Sequence, residues 1–247
     1  MALAFDVGIS PRHLSFVETG RARPSPEVVM RIAARLGVPR GEENALLEAA
    51  GHARRHPHRP LSSDELAHVR NALGFVLRRM EPHGAVVFDG VWDIVMANQA
   101  HVRSRDFFLG GRGVPDEVRN NLLRLTFHPD GLRPSISNWD VVAPVLLDRV
   151  ERELAEAPTN TRLRELLAEA RSFGPVPERP PTDDQPTGVV LAVHLRRGDL
   201  EVRVFSLVST LGSAIDVTAQ ELRMESFFPA DAESEAALAR LAGPGAR

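Results

Sequence analysis

The run SPRHLSFVETGRARPS, residues 10–25, decides how the amino-terminal part of this chain folds. Ser10 followed by Pro11 is a helix start: serine offers an oxygen to backbone N–H groups left free at a helix end, and proline presets φ at the first helical position. Gly20 is a stop, and Ser25-Pro26 repeats the start. Ala2 to Val7, ended by Gly8, reads as a shorter helix ahead of the run, so the segment is helix, turn, helix. In the second helix, Pro11 to about Thr19, Leu14 and Val17 turn inward while Arg12, His13, Ser15 and Phe16 face out.

Working outward, Val28, Val29, Ile32, Ala33 and Leu36 form a stripe of helical period that ends at Gly37. Another helix after Pro39 adds Leu46 and Leu47 to an all-helical cluster. Gly51 closes it, and a linker rich in Arg, His and Pro, 52–60, follows. Residues 1–56 are therefore one domain, 60–230 a second and 231–247 a tail.

The second domain opens with a helix over Asp64 to Met80. An apolar run, Ala85 to Phe88, ends in the turn pair Asp89-Gly90, and Val91 to Ala97 resumes as a strand. Helical segments come next; the longest runs from Asn138 to Glu156 with Val142, Val145, Leu146, Arg149 and Val150 at helical spacing, and Leu163, Leu166 and Leu167 extend the set. After a Pro-rich loop, 175–186, Val189, Leu191, Val193 and Leu195 switch to period two, Gly198-Asp199 turns, and Val202 to Leu211 and Ile215 to Phe228 read as two more strands. Two strands, a helical insertion and three antiparallel strands make an α+β domain of sheet and helices.

A length of 247 residues fits two domains, and 43% apolar with 26% charged residues is ordinary globular usage. No stretch approaches the roughly 20 apolar residues that cross a bilayer, and no secretory leader pattern opens the chain, so a cytoplasmic protein without membrane contact is expected. With no cysteine there is no disulfide and no thiolate metal site. The net charge of −3 is uneven: residues 1–60 hold nine Arg against six acids, +3, and the remainder is −6. The basic excess lies on the helix-turn-helix part, the sign a nucleic-acid partner requires.

Leu3-Ala4, Val7-Gly8, Ser10, Leu14, Glu18, Gly20, Pro24-Ser25 and Leu36-Gly37-Val38 resemble the helix-turn-helix pattern of xenobiotic-response-element regulators. The longer run Ser10 to Ser25 resembles the form carried by MmyB-like regulators. So do Asn121 to Leu125, Phe127 to Pro134, Asn138-Trp139 and Glu225 to Pro229. In that family the first helix of the DNA-binding module would precede Met1. The resemblance implies a PAS-like carboxy-terminal domain that binds a small, fatty-acid-like molecule, and Phe88-Asp89 through Trp92, Ile94 and Asn98 resemble the opening hairpin of a PAS domain.

A recognition helix lays its amino-terminal residues against base edges, which makes Arg12 the candidate for a bidentate guanine contact, with Ser15 and Phe16 also within reach of bases. Ser10, Pro11 and His13 complete the candidate DNA-facing set, and Arg21 and Arg23, just beyond the helix, suit phosphates. One such helix reads too few base pairs alone, so a homodimer on a palindromic operator is expected, dimerised through the acidic second domain. For the ligand, Phe88, Trp92, Phe205 and Leu207 are the candidate cavity wall, and Arg133 or His128 the candidate partner of a carboxylate. The plain alternatives are a filled core for the four apolar residues and a turn role for Arg133. His52, His56 and His58 have a metal-compatible spacing but lie in a Pro-flanked linker with no acidic third ligand, so no metal is expected. Hydrolase, zinc-protease and phosphate-loop motifs are missing from the sequence, and no enzyme activity and no cofactor beyond a hydrophobic ligand are expected. The competing reading is an acyl-chain carrier or enzyme whose helix-turn-helix serves protein interaction.

Overall fold

A computed structural model describes residues 2–56, 59–178, 191–212 and 216–242. His58, Val189, Ile215 and positions 179–186 of the Pro-rich loop lie outside them. The chain divides into two compact units: Met1–His58 with Glu153–Thr161, and Arg59–Arg152 with Arg162–Arg247.

The first unit contains α1 (Ala2–Asp6), α2 (Pro11–Glu18), α3 (Pro26–Leu36) and α4 (Arg40–Ala49). Both Ser-Pro starts act as read: Ser10 accepts from the His13 N–H at 3.1 Å and Ser25 from the Val28 N–H at 3.4 Å, each proline sitting in the first turn. Gly37 ends α3 with φ of 66°, a conformation that suits glycine because it lacks a Cβ. Ala4, Val7, Val28, Val29, Ala33 and Leu47 form the core. Leu14 and Val17 are only half-buried, and Leu36 and Leu46, expected inside, are 60% and 38% exposed: the α3 stripe stops at Ala33, and in α4 Leu47 alone of the pair turns inward. Asn44, buried, ties down the linker by donating to the His56 carbonyl and accepting from the Arg55 and His56 N–H groups.

In the second unit a 3-10 turn at Asp64–Leu66 leads into α5 (Ala67–Arg79), then β1 (Ala85–Phe88), β2 (Ile94–Ala97), α6 (Gln99–Leu109), α7 (Asp116–Arg119) and α8 (Leu122–Phe127). After them come α9 (Trp139–Glu156), α10 (Thr161–Ser172), β3 (Ala192–Arg197), β4 (Leu200–Thr210), α11 (Val217–Glu221), β5 (Arg223–Pro229) and α12 (Ala232–Ala242). The last turn of α9 counts with the first unit. The five strands form one antiparallel sheet in the order β2-β1-β5-β4-β3, so the last strand to be made is the central one.

Alternation along the strands sends two apolar sets to opposite sides. Ala85, Val87 and Met224 pack with Leu222 against Leu73 and Leu77 of α5. Val202 and Val204 pack on the other side with Phe108 of α6 and Ala237 of α12, joined by Leu238 and Leu241. The α+β architecture is thus an all-helical unit and a unit with a sheet between helices.

Three elements differ from the sequence reading. The second strand begins at Ile94 rather than Val91, because the Asp89 carboxylate accepts from the Val91 and Asp93 N–H groups and holds the intervening residues in a turn. The last strand is preceded by α11, since Asp216 caps it by accepting from Thr218 and Ala219, a local bond that overrides the apolar run. The segment read as a tail from 231 holds α12, whose Ala237 and Ser234 are buried.

Gly131 sits where a Cβ would stand 2.3 Å from the Leu125 carbonyl oxygen, a backbone atom that cannot yield. Gly131→Ala is expected to destabilise the protein by about 1 to 3 kcal/mol through overpacking. Gly113→Ala, which meets nothing within 4 Å, is the control and should be near neutral. Urea denaturation of the two variants checks both.

Candidate functional site

Helix α2 leaves Pro11, Arg12 and Ser15 exposed, with His13 and Phe16 half-buried. The Arg12 guanidinium lies 5.3 Å from the Phe16 ring centre, so the cation rests on an aromatic neighbour one turn on and points away from the core. Ser10 is committed to the cap and Arg21 is exposed. Arg23, in contrast, donates to the Ala50 and Gly51 carbonyls and caps the end of α4. His52 Nε2 is bonded to the Pro24 carbonyl at 2.8 Å and His56 to Glu43 at 2.5 Å, so two of the three linker histidines have structural partners.

The second unit holds a partly open cavity of about 300 Å³ between the sheet and helices α6, α8 and α9, at the small end of the range for small-molecule sites. Val193, Leu195, Val204, Ile136, Leu132, Phe108 and Leu238 make an apolar section. Trp92, Arg149, Arg152, Arg105 and Glu225 also line it, three guanidinium groups against one carboxylate. Arg149, on α9, donates to Glu225 Oε2 on central strand β5 at 3.1 Å. Its guanidinium lies 4.6 Å from the Trp92 ring centre and 5.7 Å from that of Phe88. The Glu225 side chain is only 7% exposed, so this charge is viable only with its partner in place.

Trp92 has φ of 65°, a left-handed backbone that is an outlier for a bulky residue. It is held there by its N–H bond to the Asp89 carbonyl at 3.0 Å, by the Leu122 N–H donating to its own carbonyl at 2.9 Å, and by Phe88 beneath. Strained backbone of this kind collects at ligand sites, where the surroundings fix it.

Helix α6 turns His101, Ser104, Arg105 and Phe108 to the cavity, the spacing of one helical face. The His101 ring stacks on Phe227 at 6.0 Å. Burial, reinforced by the nearby Arg105 charge and opposed by Asp106, lowers its pKa from 6.5 to about 4, so the imidazole is neutral at physiological pH.

Of the residues expected at the ligand site, Trp92 lines the cavity and Phe88 supports it from below. Phe205 and Leu207 are on the other side of the sheet: one residue along β4, Val204 and Ser206 are the pair that faces the cavity. Phe205 stacks instead on Phe228, and Leu207 is 54% exposed. Arg133 donates to the Phe173 carbonyl at 2.9 Å and lies over Trp139, and His128 packs on Phe173 and accepts from the Asp130 N–H, so neither reaches the cavity wall. The cations that do were missed. Arg149 carried a signal, an arginine inside an otherwise apolar stripe of the longest helix.

A basic helix-turn-helix and a second unit with a cavity lined by apolar and charged residues are the parts of a regulator with a DNA-binding and a ligand-binding domain. Residues 2–42 match the helix-turn-helix family, and residues 69–241 match the MmyB-like transcription regulator ligand binding domain. The chain belongs to the MmyB-like transcription regulators. Comparison with curated proteins gave no match.

His101 predicts a pH dependence of stability. Between pH 6.5 and about 4 the unfolded chain binds a proton at this position that the folded chain excludes. Its contribution is therefore complete above pH 6.5 and is lost as pH falls toward 4, by roughly 3 kcal/mol in all. In urea titrations at pH 7.5 and 4.5 the wild type is expected to lose roughly 2 to 3 kcal/mol more on acidification than His101→Phe. Equal acid losses would show that the imidazole is not held neutral by burial.

Proposed function

We propose that this chain is a homodimeric, sequence-specific transcription regulator that reads a palindromic operator in the cytoplasm and whose PAS-like second domain holds an elongated hydrophobic acid of fatty-acid type. The observation that carries the ligand class is the cavity itself: its wall is mostly apolar, which suits an alkyl chain, and Arg149, Arg105 and exposed Arg152 on the same wall suit a carboxylate. This puts the head group at α9 and α6 rather than at Arg133 or His128. The PAS-like description draws on the β1–β2 hairpin and the antiparallel sheet, and no enzyme activity belongs to the proposal.

The regulatory half has a physical route. Helix α9 carries Val145, Leu146, Arg149 and Arg152 along the cavity, and its final residues, 153–156, belong to the first unit. A ligand shifts the regulator only as far as it binds one arrangement better than another, so an acid that competes with Glu225 for Arg149 acts on the helix shared by both units.

Each buried methylene contributes about 0.8 kcal/mol, so affinity should rise about tenfold for every two carbons added to the chain. Calorimetry with saturated acids of increasing length is expected to show that rise, with each acid tighter than its methyl ester. Flat affinity, or equal binding of acid and ester, would remove the proposed site. Operator affinity should also change on saturation with acid; no change would leave a binding domain without a switch.

On DNA, Arg12→Ala is expected to cost about 1 to 3 kcal/mol and to relax preference at one base pair, whereas Arg21→Ala should weaken all sequences alike and flatten the salt dependence. Binding-site selection at two salt concentrations reads both, and unchanged preference in Arg12→Ala would place the reading face elsewhere.

A further inference from the structure

We infer that two copies of this chain pair through the outer face of α5, laid antiparallel about a two-fold axis at Ala72. The inference rests on the homodimer of the proposed function and adds the surface that forms it. Opposite the buried Leu73 and Leu77, α5 turns His68, Ala72, Phe75 and Arg79 outward, at the spacing of one helical face. Phe75 is 55% exposed and its neighbour Val76 36%. The apolar surface continues on the sheet: Leu207 is 54% exposed and stands two strands, about 10 Å, across from Ala85, on the side against which α5 packs. Apolar residues exposed singly mean little, but a contiguous set marks an interaction surface.

What covers this face is read from its charges. Asp64 and Glu65 are exposed just ahead of α5, and Arg78 and Arg79 are exposed in its last turn. The helix is acidic at one end and basic at the other, so a second copy laid antiparallel meets each end with the opposite sign. With Ala72 on the axis, Arg79 faces the partner's Glu65, each seven residues from the centre, and Val76 faces the partner's His68. The Arg79 guanidinium already lies on the apolar part of this face, 5.4 Å from the Phe75 ring centre. The small side chain of Ala72 lets the two backbones approach to the spacing of about 8 to 10 Å at which helices pack. Antiparallel packing also opposes the two helix dipoles.

A pairing of this kind is isologous: the same patch serves both copies, and every contact off the axis occurs twice. A stable interface buries about 800 Å² on each partner, more than one helix face supplies, and the exposed Leu207 side of β4 extends the patch beyond the helix. The cavity lies on the other side of the sheet, so this pairing does not cover it.

Sedimentation velocity of the full chain at micromolar concentration tests the pairing. Wild-type protein is expected to be a dimer, and Phe75→Glu, changed at an exposed position, a monomer with the circular dichroism spectrum of the wild type. Arg79→Glu and Glu65→Arg should each weaken dimerisation about tenfold, because symmetry counts the like-charge contact twice. The double variant Arg79→Glu with Glu65→Arg restores opposite charges across the axis and should dimerise nearly as well as wild type. Within one chain the two positions stand roughly 21 Å apart, so that rescue arises only between copies, and it alters no apolar residue. A double variant no tighter than the single ones, or a Phe75→Glu protein that dimerises as well as wild type, would overturn the α5 interface and leave the dimer standing. A monomeric wild type would overturn the dimer and this inference together and would assign the face to a different protein.

Discussion

The carboxylate of Glu225, in the middle of the central strand and on a covered side of the sheet, is the constraint on which the ligand-binding unit depends. Moving a carboxylate out of water costs several kcal/mol, and the loss is offset only where a well-placed cation takes the place of solvent. Arg149 is that cation, and it is available only if α9 crosses the sheet at one height and rotation. Trp92 and Phe88 then stack beneath the guanidinium and fix it further. Once α9 is set by this contact, the remaining helices of that side enclose the space beside it, and the apolar section of the cavity is what they do not fill.

That arrangement also explains the strained backbone of Trp92. The indole serves as floor for a buried cation and as wall for the cavity, two tasks that fix its position more tightly than a turn residue ordinarily requires. The two hydrogen bonds of its own peptide groups and the Asp89 turn ahead of it supply the restraint. A residue with no side chain would fit the backbone more easily but would remove the aromatic face that Arg149 uses.

Much of the fold was legible because it is written in local chemistry. Ser10-Pro11 and Ser25-Pro26 announce helices through caps that form within three residues, and α9 shows its period over eighteen residues. The Ile215 to Phe228 stretch misled because its apolar content favours a strand, whereas Asp216 offers the backbone a nearer bond. The site was harder to read for a different reason. Which parity of a strand faces a cavity depends on where helices from distant parts of the chain settle, so the sequence points to Phe205 and Leu207 where Val204 and Ser206 line the wall. Arg133 was a sound candidate by charge, but its side chain is used to bind the Phe173 carbonyl, a contact across forty residues that no spacing rule encodes. His101 gave no signal at all, since a histidine on an amphipathic helix acquires meaning only from what it is buried against.

The composition gives Trp92 a consequence of another kind. The chain has two tryptophans and no tyrosine, so its near-ultraviolet emission comes from Trp92 and Trp139 alone. Trp139 lies under Arg133 and against Phe127 and is not among the residues of the cavity wall, whereas Trp92 forms part of that wall beneath a guanidinium. A molecule entering the cavity touches one of these two emitters directly and changes the polarity around it. The protein is thus its own optical probe, with Trp139→Phe sufficient to reduce the signal to the single indole that a bound molecule touches.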